Sequence, residues 1–85
     1  MKEKTHHEIS ELDARGLICP LPVLRARKAL MSLHAGEMLR VFCTDPAAAS
    51  DFPAFCSSAG HVLVETVTNE SGDDPELVFL IQRGG

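Results

Sequence analysis

Two prolines separated by one residue, Pro20 and Pro22, constrain this chain more than any other local feature. Each ring fixes φ and removes a backbone N–H, which suits the first turn of a helix, where those N–H groups have no intrahelical partner. The residues that follow have helical spacing. Val23, Ala26, Leu30 and Leu33 fall on one side of a 3.6-residue wheel, with Ala29 at its margin. The pattern predicts a helix over residues 20–33, with Cys19 at its cap and the prolines at its first and third positions. Gly36, shortly after His34, supplies a stop. Upstream, residues 10–13 read as a short strand closed by the turn signal Arg15-Gly16. The chain therefore opens strand–helix, not with a hairpin.

Residues 38–43 read as a largely buried strand. Thr44-Asp45-Pro46 begins a helical turn, with Asp45 as cap and Pro46 at the first position, and Asp51-Phe52-Pro53 repeats that logic. We expect a second helix broken between them, its main part over 52–59 and its end at Gly60. Residues 62–67 and 77–81 are strands joined by a polar hairpin loop over 69–75. The order β-α-β-α-β-β favours a parallel first pair with a right-handed crossover and a terminal hairpin. This is an α+β chain, a two-layer α/β sandwich with a four-stranded mixed sheet, two helices on one face and the other face open or partly covered. We expect a flexible tail over 1–10, which includes His6 and His7, one domain over 11–83, and a two-residue tail at 84–85.

Charge narrows the partners. The formal net charge is −4, but residues 1–13 carry −2, residues 14–44 carry +4 and residues 45–85 carry −6. A basic block in an acidic chain suggests one face that meets an anionic surface, although a solvated helix face has the same signature. There are four Phe and neither Trp nor Tyr, so stacking platforms for single-stranded nucleic acid are lacking, and direct nucleic-acid binding is disfavoured. No apolar run reaches the roughly 20 residues of a membrane span, and the N-terminal residues lack a signal-peptide core. We expect a cytoplasmic monomer without membrane contact.

The cysteines are Cys19, Cys43 and Cys56, an odd set without a Cys-x-x-Cys pair. That argues against a disulfide framework and against the usual zinc knuckle. No metal cluster or cofactor motif is visible, and none is expected. Cys43 lies inside an apolar strand and Cys56 on the second helix, where free cysteine usually packs as a small hydrophobe. Cys19 is different. A thiol at a helix N-terminus feels the positive end of the macrodipole, which favours thiolate. The prolines leave the Leu21 amide as a nearby donor, and Arg15 adds a cation four residues upstream. Serine or aspartate caps a helix far better than cysteine, so a purely structural role explains Cys19 poorly. Whether Cys56 approaches as a resolving thiol, or His61 assists, is open; His61 reads first as a surface residue at a strand start.

The string Leu12-Asp13-Ala14-Arg15-Gly16-Leu17-Ile18-Cys19-Pro20-Leu21-Pro22 resembles the signature of the TusA (SirA-like) sulfur-carrier family, whose hallmark is Cys-Pro-x-Pro. Thr44-Asp45-Pro46, Asp51-Phe52-Pro53-Ala54-Phe55-Cys56 and Gly60-His61 are similar to its second half, so the likeness runs over about 12–83. Phe52 stands where an aliphatic residue would be expected. The resemblance implies a sulfurtransferase that accepts persulfide sulfur on Cys19 from a cysteine desulfurase or other donor. It then relays that sulfur to an acceptor protein thiol, towards tRNA thiolation, molybdenum-cofactor supply or sulfur oxidation. It also implies that Asp13, Arg15 and Gly16 shape the approach to the thiol, that Pro20 and Pro22 stiffen it, and that Asp45 sits on a neighbouring loop.

On the first helix Leu21, Leu24 and Met31 fall off the core stripe and interleave with Arg25, Arg27 and Lys28. A mixed apolar and basic face beside a reactive thiol suits docking on a partner enzyme, though long basic side chains also cover stray apolar surface. Two other readings stand beside the carrier. One is a regulatory or redox-sensing module that uses the same turn. The other is a carrier that holds sulfur as a thiocarboxylate on the terminal Gly84-Gly85.

Overall fold

A computed structural model of the chain describes residues 9–70 and 75–85. The tail expectation for residues 1–8, with His6 and His7, and the tip of the hairpin loop lie outside the described residues. The elements are β1 (Ile9–Ala14), α1 (Leu21–Met31), β2 (Met38–Cys43), α2 (Ala48–Ala59), β3 (Val62–Asn69) and β4 (Glu76–Gln82). The sheet runs β1-β2-β4-β3. β1 pairs parallel with β2, Leu12 opposite Val41; β4 pairs antiparallel with both β2 and β3, Val41 opposite Phe79 and Thr66 opposite Phe79. The mixed sheet and the β-α-β-α-β-β order agree with the expectation.

Period-two alternation places the core on one sheet face. Leu39, Val41 and Cys43 of β2 and Leu77, Phe79 and Ile81 of β4 are buried, whereas their neighbours are half-buried. The strand at 38–43 is therefore buried on one face only. Both helices cover the core face, α1 through Ala26 and Leu30 and α2 through Ala48, Phe52 and Cys56. Phe52 is fully buried and stacks on Phe79 with ring centroids 4.5 Å apart, so the aromatic side chain fills the helix–sheet interface. On the opposite face Arg40, Phe42, Glu65, Val67, Val78 and Leu80 line an open groove of about 320 Å³.

Several boundaries differ from the sequence reading. Ile9 and Ser10, expected as tail, open β1 and pair with Met38 and Leu39. The second helix is unbroken from Ala48 to Ala59, although Pro53 is its sixth residue. Pro53 deprives only the Ala49 carbonyl of its partner, and both residues are exposed, so water can satisfy that oxygen. The first helix starts at Leu21, with Pro20 as its cap rather than its first residue, and Pro22 is buried. Gly84, expected as tail, is tied to the body. Its N–H donates to His61 Nδ1 at 2.9 Å, and its carbonyl accepts from Arg83 Nη1 at 2.9 Å. Arg83 is itself paired through its backbone with Gly36 and Glu37.

Candidate functional site

The turn between β1 and α1 is fastened to the turn between β2 and α2 at two points. Gly16 takes φ +82°, a left-handed conformation that favours glycine, and its N–H donates to Thr44 Oγ1 at 2.9 Å. The Cys19 N–H donates to Asp45 Oδ2 at 2.7 Å. Asp45 uses its other oxygen to accept the Ala47 N–H at 3.0 Å. These two backbone bonds hold the Asp45 carboxyl below the usual aspartate range. One carboxylate therefore ties the start of the second helical segment to the backbone of Cys19. Parallel pairing of β1 with β2 makes this possible, because it delivers Ala14 and Cys43, the last residues of both strands, side by side.

The side chain of Cys19 is exposed. Its surroundings differ from the expectation in three respects. The Leu21 N–H donates to the Ile18 carbonyl at 2.8 Å, so it is occupied by the turn. Arg15 turns to other partners. Its guanidinium meets Asp13 at 2.9 Å and Glu76 at 3.1 Å and lies over the Phe42 ring, 5.5 Å from the centroid. The charges that do reach the thiol are acidic. Hydrogen bonding with the Asp51 carboxylate, then desolvation and the charges of Asp51 and Asp45, push the Cys19 pKa above its ordinary value. The turn thus favours the protonated thiol, against the thiolate expected from the helix terminus alone.

Asp51, in the first turn of α2, is the residue that sequence reasoning missed. An aspartate shortly before a proline, as at Asp45-Pro46, suggested a second helix cap there. Its place beside Cys19 depends on α2 running unbroken past the turn. Asp13, bonded to Arg15 through the Arg15 backbone N–H at 3.0 Å as well as the side chain, is held below the usual aspartate range.

Neither Cys43 nor Cys56 joins this group. Both are buried, and burial pushes the Cys43 thiol up to about 11 and raises Cys56 as well. His61 is half-buried rather than a plain surface residue, bonded to Gly84 and 5.6 Å from the Phe55 ring, at the other end of α2 from Asp51. Among the described residues no three His, Cys, Asp or Glu side chains are placed to hold a metal ion.

The solvent face of α1 carries Leu21, Leu24 and Met31, exposed by 41%, 50% and 72%, which is large for apolar side chains. Arg25, Arg27 and Lys28 are exposed between them, and none makes an ion pair with another described residue. Cys19 lies just before this face, with Ile18 68% exposed beside it.

Comparison with known proteins gives a consistent picture. The family described as sulfurtransferase TusA matches residues 10–83. A putative sulfur carrier protein of Neisseria meningitidis is 54% identical over 72 residues, 85% of this chain and 92% of that protein. The sulfur carrier protein TusA of Allochromatium vinosum is 50% identical over 73 residues, 86% of this chain and 91% of its own. The crystal structure of a SirA-like protein from Desulfitobacterium hafniense superposes with a TM-score of 0.67 at 28% identity, covering 92% of this chain and all of that one.

Proposed function

The chain belongs to the sulfurtransferase TusA family, and from that premise we propose that it carries sulfane sulfur as a persulfide on Cys19 between two protein partners. The supporting observation is the placement of Cys19. Its backbone is clamped by Asp45 while its thiol projects into solvent at the head of the apolar and basic α1 face. Among the described residues, Cys19 lines none of three surface hollows of about 320, 280 and 140 Å³. Each partner therefore supplies the enclosing part of its own active site.

In the loading step the Cys19 sulfur, deprotonated, attacks the terminal sulfur of a donor persulfide. A Cys19 S–S bond forms, the donor S–S bond breaks, and the donor leaves as thiolate. In the unloading step an acceptor thiolate attacks the terminal sulfur of Cys19–S–SH, and Cys19 leaves as thiolate. No external oxidant or reductant enters either step. Asp51 takes the Cys19 proton in the first step and passes it to the departing thiolate, a role matched to a thiol held protonated until a partner docks. Asp45 and Gly16 fix the turn through its backbone, Pro20 and Pro22 stiffen it, and the Asp13–Arg15 pair stands at its entrance. Leu21, Leu24, Arg25, Arg27, Lys28 and Met31 form the docking face.

The donor in this reading is a cysteine desulfurase, and the acceptor chain leads to a thiolated product such as tRNA, in the reducing cytoplasm. Against the thiocarboxylate alternative stands Gly84, whose N–H and carbonyl are both engaged by the body of the domain. Incubation with a cysteine desulfurase and sulfur-labelled cysteine tests the proposal. Wild type, Cys43→Ser and Cys56→Ser chains take up label that a reductant removes, and Cys19→Ser takes up none. Label retained by Cys19→Ser overturns it.

A further inference from the structure

The helical layer has a second polar cluster at the end away from Cys19, roughly 15 Å along α1 from its start. There the last turns of both helices and the C-terminal residues enclose a hollow of about 280 Å³, walled by Arg27, Leu30, Met31, Phe55, His61 and Arg83. In a chain with 12 acids and 8 basic Lys and Arg side chains, no carboxylate of a described residue lines it.

Its polar groups are donors, and two are fixed in place. Arg83 is pinned by Nε to the Leu30 carbonyl and by Nη1 to the Gly84 carbonyl, both at 2.9 Å, which leaves N–H groups of its fork unspent. His61 accepts the Gly84 N–H on Nδ1, so the neutral ring carries its proton on Nε2 as a donor. Arg27 makes no ion pair with another described residue. The charged groups that line the hollow with His61 are Arg83 from the C-terminal segment and Arg27 from α1, whereas α2 contributes the apolar Phe55 and Ala59. Burial first, and the Arg83 charge second, hold the His61 pKa below its ordinary value. Two cations that line one hollow beside an apolar wall, with no described carboxylate among its walls, make a seat for an anion from outside.

We propose that this hollow binds a small organic carboxylate with a compact apolar body. The carboxylate lies between Arg27, Arg83 and the His61 Nε2–H, and the body rests against Met31 and Phe55. Binding favours the imidazolium form and so strengthens as pH falls through the His61 titration. By linkage the bound anion moves that titration to higher pH.

NMR titration of the full chain with benzoate tests this, with inorganic phosphate as a probe that has charge but no apolar body. The Cys19→Ser chain serves equally, so the result is independent of sulfur loading and of the carrier proposal. Benzoate is expected to shift the His61 ring and Arg27 and Arg83 side-chain signals saturably and to raise the His61 titration. Arg27→Gln, with an unchanged far-UV spectrum, should weaken binding about tenfold. Non-saturable shifts, an unmoved His61 titration, phosphate binding as tightly as benzoate, or full affinity in both Arg27→Gln and His61→Gln would each overturn it.

Discussion

Cys19 is positioned through its backbone and tuned through its side chain, and different acids do each. Asp45 accepts its N–H at 2.7 Å, and Asp51 bears on the thiol. Asp51→Asn removes a negative charge beside the sulfur and should therefore lower the Cys19 pKa. Iodoacetamide alkylation should then show its pH midpoint shifted down and a faster rate at neutral pH, in a variant whose fold is intact. A midpoint unchanged or raised would remove Asp51 from the site. Cys43→Ser should leave alkylation of the native chain unchanged, because that thiol is buried and pushed up to about 11. At this scale the sequence made Cys19 legible, since prolines after a cysteine that caps poorly already mark it. It hid Asp51, because a contact across 32 residues depends on how α2 is laid against the turn. It also misdirected Arg15, whose partner Glu76 lies on a strand 61 residues away.

The two helices do separate work. α1 exposes its basic and apolar face next to the thiol, and the double reversal Arg27→Glu with Lys28→Glu should slow sulfur uptake from a desulfurase on the order of tenfold at low salt. Thermal stability should be retained, because both side chains are solvated. Uptake unchanged at low salt would contradict the docking assignment. α2 anchors the layer through Phe52, so Phe52→Ala should cost about 3–5 kcal/mol in urea unfolding, the usual range for a buried aromatic truncation. The His61 end responds to pH. Its folded pKa lies below the ordinary imidazole value, so the unfolded chain binds more protons as pH falls through about 6.5. Stability is full above that pH and declines below it, and His61→Gln should flatten this decline in melting curves at pH 7.5 and 5.5. The wheel pattern of α1 was readable because its buried stripe is regular. The continuity of α2 was not, because a proline breaks a helix only where the freed carbonyl cannot be rescued, and the exposure of Ala49 comes from tertiary structure.

As a whole the molecule is one sheet with helices on one face and the Cys19 turn beyond the end of its first parallel pair. The strand–helix opening demanded by Pro20 and Pro22 leads directly to that arrangement, and alternation in β2 and β4 locates the core. How β1 and β3 reach opposite edges is set by long-range pairing that local pattern does not encode. A thiol at the surface of so small a body suits a carrier that must fit two partners in turn. The most direct measurement is intact and peptide mass spectrometry after incubation with a cysteine desulfurase and cysteine. The account predicts a gain of one sulfur atom, removed by reductant and mapped to the peptide bearing Cys19. Sulfur at the Gly85 carboxyl terminus, or on Cys43 or Cys56 with Cys19 unmodified, would contradict it.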